Sequence, residues 1–243
     1  YMHKADSSLA ATAYSAVRTR ILRGELMLGQ PISRRKLAAE LGISFPPVTE
    51  ALLRLELEGL LESRPRAGTR VCIPSREDVR GHYIVREALE TQASLLCGLH
   101  ATKGERKELE RLAVRVDALS AKADRSGYVA VHLKLHQRIA EFARCEALTQ
   151  AVERTQALAS IWFCLMRKPS PSDSGTRHQE LIETIFTGAP ARVSAAVKEH
   201  LAVGRQRTLE VLEPYFHLRT SRGARFHRTN RNLRLVPQPD ARA

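Results

Sequence analysis

One stretch constrains the fold of this chain more than any other: residues 33–71, SRRKLAAELGISFPPVTEALLRLELEGLLESRPRAGTRV. Ser33 can cap a first short helix, and Gly42 stands where that helix must end in the left-handed conformation. Ser44 can cap a second helix with two prolines in its first turn, where missing amide donors cost little. Two predicted strands follow, joined by a basic tip. Two helices with a tight turn and a basic wing form the geometry that places a helix in the major groove of DNA.

The composition favours packed helices and a polyanionic partner. The 243 residues are 43% hydrophobic but only 5% aromatic, and the apolar residues are mostly Ala, Leu and Val, which suit helices better than sheets. The net charge of +13 favours nucleic acid or an acidic membrane surface. No apolar run approaches the length of a membrane span and no signal-peptide pattern opens the chain. We therefore predict a cytoplasmic protein without a membrane partner.

The chain divides into a small DNA-binding region and a larger helical region. Pro74 ends the last predicted strand, and Ser75 can cap the next helix. Apolar residues then recur at helical spacing almost to Glu213, which predicts a bundle of five to seven helices. The fold class is therefore mainly α. We predict a flexible N-terminus (1–8), a winged helix-turn-helix domain (9–73), a linker (74–76), an all-helical effector-binding and dimerisation domain (77–214) and a basic tail (215–243).

The predicted tail has a composition of its own. It holds seven arginines and one aspartate, and arginine recurs at every third position from Arg219 to Arg234. Few large apolar side chains are available there to bury, so we predict a disordered segment. An additional arm that contacts DNA phosphates stays open as the alternative.

Four histidines of the helical region form the second pattern: His132, His136, His178 and His200. His132 and His136 are four residues apart and therefore lie on one face of a helix, beside an apolar stripe. His178 and His200 continue the apolar faces of two later helices. Imidazoles that converge from three helices can hold a divalent transition metal. For each histidine alone a hydrogen-bonded core position is the alternative, but the set of four favours a metal site.

Residues 14–71 resemble the winged helix-turn-helix domain of the GntR family of bacterial regulators. The family's motif around the recognition helix reads S-R-T-P-V-R-E-A-L, and residues 44–52 here read SFPPVTEAL. Arg35 matches a family arginine that grips operator DNA, and Gly68 matches a residue of the wing tip. The resemblance implies a sequence-specific regulator that binds double-stranded operator DNA.

The two arginines of that motif are absent, because their positions hold Phe45 and Thr49. An arginine fork discriminates one base by roughly 1–3 kcal/mol, whereas Phe45 offers stacking or a thymine-methyl contact and Thr49 offers one hydroxyl. Either the operator differs from the family's usual one, or other cations carry the affinity; weakened specific binding stays open. The predicted DNA-binding residues are Arg34, Arg35, Lys36, Ser44, Phe45, Pro46, Thr49, Arg54, Arg64, Arg66 and Gly68.

Residues 77–212 resemble the FCD ligand-binding domain of the FadR-type branch of the same family. Its metal-binding members carry D-x-x-x-H on one helix and one histidine on each of two later helices. His136, His178 and His200 match these histidines, whereas His132 stands in the aspartate position. Four imidazoles leave the site one charge more positive than the family's set and suit Zn or Ni.

The resemblance also implies a small carboxylate effector, bound at open positions of the metal and by an arginine of the first FCD helix. Arg86 matches that arginine. The alternative role for Arg86 is a salt bridge with Glu87, Glu90 or another acid.

No nucleophile elbow, phosphate-binding glycine loop or HExxH motif is present, so we predict that the chain is not an enzyme. The alternative is a metal-dependent hydrolase or oxygenase built on the histidines, but no carboxylate stands out near them. An RNA-binding protein would rest on the arginine tail alone. We predict a homodimeric transcription regulator whose operator binding is controlled by a small organic acid and a divalent metal. Effector, operator sequence and sign of regulation stay open.

Overall fold

A computed structural model describes residues 3–65, 68–121, 125–165 and 177–223, which form nine helices and three strands. The elements are α1 (His3–Leu22), β1 (Pro31–Ile32), α2 (Arg34–Leu41), α3 (Phe45–Leu57), β2 (Leu61–Arg64), β3 (Gly68–Val71), α4 (Arg76–His100), α5 (Lys103–Ala121), α6 (Arg125–Phe142), α7 (Glu146–Leu165), α8 (Arg177–Thr187) and α9 (Pro190–Gly223). The predicted fold class is confirmed. No helix within these ranges combines the length and apolarity that a membrane span requires.

The two helices of the helix-turn-helix end and begin at the predicted residues. The Ser33 hydroxyl accepts from the backbone N–H of Lys36 at 3.2 Å, and Gly42 has φ 65° and ψ 30°. Ser44 precedes α3, but its side chain makes no capping hydrogen bond, contrary to our expectation. The reason is local: the second and third helical residues, which normally donate to such a cap, are Pro46 and Pro47 and have no N–H.

The wing is a three-stranded antiparallel sheet in the order β1-β3-β2. Ile32 lies opposite Thr69, so the short strand before α2 joins the wing. Gly68 is exposed and begins β3 with a φ of 76°, a backbone conformation that favours glycine. Arg66, which we predicted at the wing tip, lies outside the described residues.

Helix α4 is the centre of the bundle and packs against α6, α7, α8 and α9. It begins with a capping box, in which Ser75 and Asp78 each accept a hydrogen bond from the other's backbone N–H. The hydroxyl groups of Tyr83 and Thr208 lie 2.8 Å apart and connect α4 with α9. The buried side chains of α4 therefore face the middle of the bundle.

Both ends of the described chain are more helical than we predicted. Helix α1 begins at His3, inside the predicted flexible N-terminus, and residues 3–22 contain neither glycine nor proline. Helix α9 continues through Pro214 to Gly223, into the predicted tail. A proline removes one backbone donor, but Leu212 and Phe216 on either side are buried and anchor the helix. Residues 224–243, which hold most of the tail arginines, lie outside the described residues.

Helices α4 and α8 approach each other closely at Gly98. A Cβ at this position would lie 2.5 Å from the carbonyl oxygen of Ile185 in α8. Gly98→Ala should therefore separate the helices and lower the free energy of unfolding by about 1–3 kcal/mol, as overpacking does elsewhere. Gly81→Ala is the control, because nothing lies within 4 Å of its Cβ. That variant should gain up to about 1 kcal/mol of helix propensity. Denaturant melts in which both variants behave alike would contradict the close approach of the two helices.

Candidate metal centre and nucleic-acid interface

The four histidines predicted to bind metal meet in the interior of the bundle. His132 and His136 lie on α6, His178 lies in the first turn of α8, and His200 lies on α9. One ring nitrogen of each lies within 4.8 Å of those of the others. The first three side chains are buried and His200 is half-buried.

Two carboxylates lie against the outer nitrogens of this cluster. Glu90 Oε2 is 2.9 Å from Nδ1 of His136, and Asp117 Oδ1 is 2.6 Å from Nδ1 of His178. The Nε2 atoms of both histidines are buried and have no hydrogen-bond partner within the described residues. A carboxylate at Nδ1 favours the tautomer with its proton there, so the Nε2 lone pair is left for another ligand.

The environment also keeps three of the four imidazoles in the form that binds metal. Burial lowers the pKa of His132 and of His200 well below the usual value. Burial lowers the pKa of His178 as well, although the hydrogen bond to Asp117 acts in the opposite direction. Neutral imidazoles are the metal-binding species, and a buried nitrogen without a partner costs free energy. The cluster therefore fits a divalent transition metal.

These carboxylates correct the expectation from the sequence that no acid lies near the histidines. Asp117 comes from the inward face of α5, four residues after the buried Ala113. Besides His178 Nδ1 it accepts hydrogen bonds from the backbone N–H groups of His178 and Gln179, at 3.3 and 3.2 Å. An acid on an apolar helix face is a signal that the sequence contained, but its partner lies 61 residues away and no spacing rule connects the two.

Arg86 forms the salt bridge that was one of its two predicted roles. It also keeps an N–H group available for the other role, which is to bind a carboxylate effector. Its Nε donates to Glu90 Oε1 at 2.7 Å, and the two side chains are only 3% and 7% exposed. Its Nη1 is buried and has no partner within the described residues. Burial would raise the pKa of Glu90, but the charge of Arg86 and the hydrogen bonds from Arg86 and His136 outweigh it and hold the pKa below its usual range. Glu90 thus carries a charge shared between Arg86 and the histidine cluster.

Cationic and aromatic side chains surround the inner side of the cluster. They line a cavity of about 20 Å³, which is room for one water molecule. Between α8 and α9 lies a groove of about 310 Å³, which shares Arg177 and His200 with the cavity. Arg86 was predicted here from the sequence, whereas the other cationic and aromatic lining residues were not: Tyr83, Tyr128, Arg177 and Arg207. Two of these had a signal in the sequence: Arg177 stands directly before His178, and Tyr128 stands four residues before His132.

The exposed face of α3 carries two large apolar side chains, Phe45 and Leu53. Phe45, Thr49 and Leu53 are four residues apart and all exposed, with Phe45 at 53% and Leu53 at 55%. Ser44 and Pro46 are exposed at the same end of the helix. All of these except Leu53 were predicted from the sequence, and an i, i+4 extension from Thr49 would have found Leu53 as well.

The cations of α2 differ in what they contact. Arg34 donates through Nη2 to Thr69 Oγ1 at 3.3 Å and so links α2 to the wing. Lys36 lies 3.8 Å from a carboxylate oxygen of Glu40. Arg35 is exposed and makes no ion pair within the described part of the chain. Of the three, Arg35 is the most available to a phosphate or a base.

Two other predicted DNA-binding cations have partners inside the domain. The guanidinium of Arg54 lies 4.1 Å from the ring centroid of Tyr14, and its Nε lies 3.4 Å from Glu58. Arg54 therefore packs against α1. Arg64 is half-buried and lies 3.2 Å from Glu62 on the wing.

Comparison with known proteins decides the family. Residues 9–71 match the family described as bacterial regulatory proteins, gntR family, and residues 82–203 match the FCD domain. The chain belongs to the GntR family and carries an FCD domain. The GntR helix-turn-helix domain therefore implies that the protein binds operator DNA. Since the family consists of regulators, the expectation that this chain is not an enzyme is confirmed.

Two named relatives align with about three quarters of this GntR-family regulator. It is 28% identical over 186 residues to the "Probable D-xylose utilization operon transcriptional repressor" of Paenarthrobacter nicotinovorans, covering 75% of this chain and 80% of the relative. It is 22% identical over 190 residues to the HTH-type transcriptional repressor RspR of Escherichia coli K12, covering 77% and 83%.

Solved structures show the same fold. A protein of Rhodococcus sp. RHA1 assigned as a GntR transcriptional regulator superposes with a TM-score of 0.68 at 21% identity, over 84% of this chain and 98% of that one. McbR/YncC of E. coli superposes with a TM-score of 0.66 at 20% identity, over 86% and 98%.

Proposed function

We propose that this GntR-family regulator is a homodimeric repressor whose affinity for its operator is controlled by a divalent metal and a small organic acid. The observation that carries the proposal is the cluster of four buried or half-buried histidines, two of which have Nε2 atoms without a partner within the described residues. The names of two relatives, both repressors, support the sign of regulation. The exposed face of α3 supports DNA binding in the manner of a winged helix.

The metal would be held by His132, His136, His178 and His200. Imidazole ligands suit Zn or Ni. Either ion can act here as a structural or ligand-binding ion without a change of oxidation state. When bound, the ion supplies a positive charge that can accept a carboxylate oxygen from the effector. The protein's own part is to hold the four imidazoles close together in the interior of the bundle.

The effector would be a small carboxylate. Arg86, Arg177 and Arg207 line the cavity beside the cluster, and the groove of about 310 Å³ next to it can hold an organic acid. A thermal-shift screen of small carboxylates with Zn²⁺ present tests this class of ligand. Because one relative's name refers to D-xylose utilization, neutral D-xylose and its acid, D-xylonate, form a matched pair. Stabilisation by the neutral sugar alone would contradict the proposal.

A path from this site to the DNA-binding domain exists in the chain. Only four residues separate the wing from helix α4, which carries both Arg86 and Glu90. A side chain at Gly59, after α3, would contact Leu158 of α7, so the winged domain packs on the bundle. A shift of α4 or α7 on effector binding would reorient the winged domains of a dimer. The differential affinity needed for such a switch is about 1–3 kcal/mol.

Arg35→Ala tests the docking of α2 on DNA. Fragments selected from a genomic DNA pool should contain two half-sites related by a pseudo-dyad, one for each winged domain. On such a fragment Arg35→Ala should weaken binding by about 1–3 kcal/mol if the guanidinium reads a base edge. The control is Arg115→Ala, which removes an exposed arginine from α5 of the FCD domain. Equal affinities of the two variants in a fluorescence-anisotropy titration would show that Arg35 does not dock on DNA.

A further inference from the structure

We propose that Glu90 and Asp117 are positioning residues of the metal site: each fixes the tautomer and ring orientation of one histidine ligand and adds negative charge next to it. This inference rests on the proposed role of the histidines as metal ligands. Glu90 and Asp117 would not contact the ion themselves. Their effect would be exerted through the Nδ1 atoms of His136 and His178.

Glu90 is placed to act on His136 from α4. One of its oxygens lies 2.9 Å from Nδ1 of His136, and the other accepts from Nε of Arg86 at 2.7 Å. Both oxygens therefore face donors, so the carboxylate is held from two sides and cannot rotate freely. This geometry keeps the proton on Nδ1 and turns the buried Nε2 of His136 into an acceptor.

Asp117 does the same for His178 from α5. Its Oδ1 lies 2.6 Å from Nδ1 of His178, and its Oδ2 accepts from the backbone and side-chain amides of Gln179, at 3.2 and 3.1 Å. These bonds fix the first turn of α8, on which His178 lies. The ring and the helix that carries it are therefore oriented by one side chain.

The two carboxylates also bring negative charge close to the metal site. Four neutral imidazoles leave the full charge of a divalent ion uncompensated in the interior of the bundle. Asp117 and Glu90 are each 7% exposed and lie on the outer sides of His178 and His136, and the charge of Glu90 is shared with Arg86. A hydrogen bond from Nδ1 to a carboxylate raises the basicity of the ligating nitrogen and strengthens its bond to the metal.

Zn²⁺ competition with a chromophoric chelator tests the inference on the full-length protein. Glu90→Gln and Asp117→Asn should each weaken Zn²⁺ binding by about 10–100-fold, because loss of such an outer partner has this effect in known metal sites. Matched controls exist on the same helices. Glu87→Gln removes a half-buried acid of α4 that lies 3.9 Å from Lys198, and Glu110→Gln removes an exposed acid of α5. Both controls should bind Zn²⁺ like the wild type.

A second readout separates orientation from general damage to the fold. In ¹H–¹⁵N long-range correlation spectra of the metal-free protein, His136 and His178 should carry their proton on Nδ1. In each variant only the histidine facing the substituted residue should lose that preference. A circular dichroism melt identifies variants that are folded.

The outcomes distinguish this inference from the function on which it rests. If the wild type binds Zn²⁺, His136→Ala does not, and folded Asp117→Asn binds with unchanged affinity, the positioning role is overturned while the metal site stands. If the wild type binds no metal, both proposals fail. Glu90→Gln leaves Arg86 buried without its counter-charge; should that variant not fold, Asp117→Asn decides, because it leaves no buried cation behind.

Discussion

Zn²⁺ should stabilise the metal-free protein, and His136→Ala should abolish that stabilisation. A ligand that binds only the folded state adds about 4.1 kcal/mol to the free energy of unfolding when its free concentration is about 1,000 times its Kd. The four imidazoles converge only in the folded bundle, since they come from three helices. Thermal melts with and without Zn²⁺, together with metal analysis of the purified protein, measure the effect. We expect stoichiometric metal in the wild type and a loss of occupancy in the variant.

The matched control for that experiment is His217→Ala. His217 lies on α9, the helix that carries His200, but its side chain is 79% exposed and outside the cluster. Its removal should leave metal content and stabilisation unchanged. Unchanged metal content in His136→Ala would rule out the cluster as the binding site, and equal losses in both variants would indicate adventitious binding to surface histidines.

The helix-turn-helix could be predicted from the sequence because its signals are local. Ser33 and Gly42 act on backbone groups within a few residues of themselves, and the structure has them as the cap and end of α2. The inward placement of the histidines was predictable for a similar reason, because the spacing of four between His132 and His136 follows from helix geometry. The resemblance to the family's motif further predicted that the pattern belongs to a GntR-family regulator.

What the sequence did not show depends on contacts between distant residues. Asp117 is an ordinary polar residue of an amphipathic helix until α8 is packed against it. Arg54 lies on α3 beside the predicted DNA-binding residues, yet it packs on the ring of Tyr14 in α1. Pro214 is typical of a helix end, but α9 continues beyond it because the side chain of Phe216 is buried. In each case tertiary packing overrides a local rule.

The second large effect should come from separating Arg86 and Glu90. Removing one partner of a buried ion pair leaves an uncompensated charge and typically costs about 3–5 kcal/mol. Arg86→Met should therefore destabilise the protein by this amount, because it takes the guanidinium away from Glu90 and leaves that carboxylate against the imidazole of His136. The double variant Arg86→Met/Glu90→Gln should be more stable than either single variant. Chemical denaturation of all four proteins gives the coupling energy directly.

An exposed pair of the same chemistry shows whether burial is the cause. Arg106 and Glu110 on α5 are also four residues apart in the chain, with a distance of 2.8 Å from Nε to Oε1, but their side chains are 41% and 46% exposed. The same substitutions there should change stability by about 0–1 kcal/mol, since water screens the pair. Similar coupling energies for both pairs would contradict the argument from burial. If Arg86 also binds the effector, folded Arg86→Met should keep its operator affinity but lose its response to carboxylates, because the guanidinium and its buried Nη1 are gone.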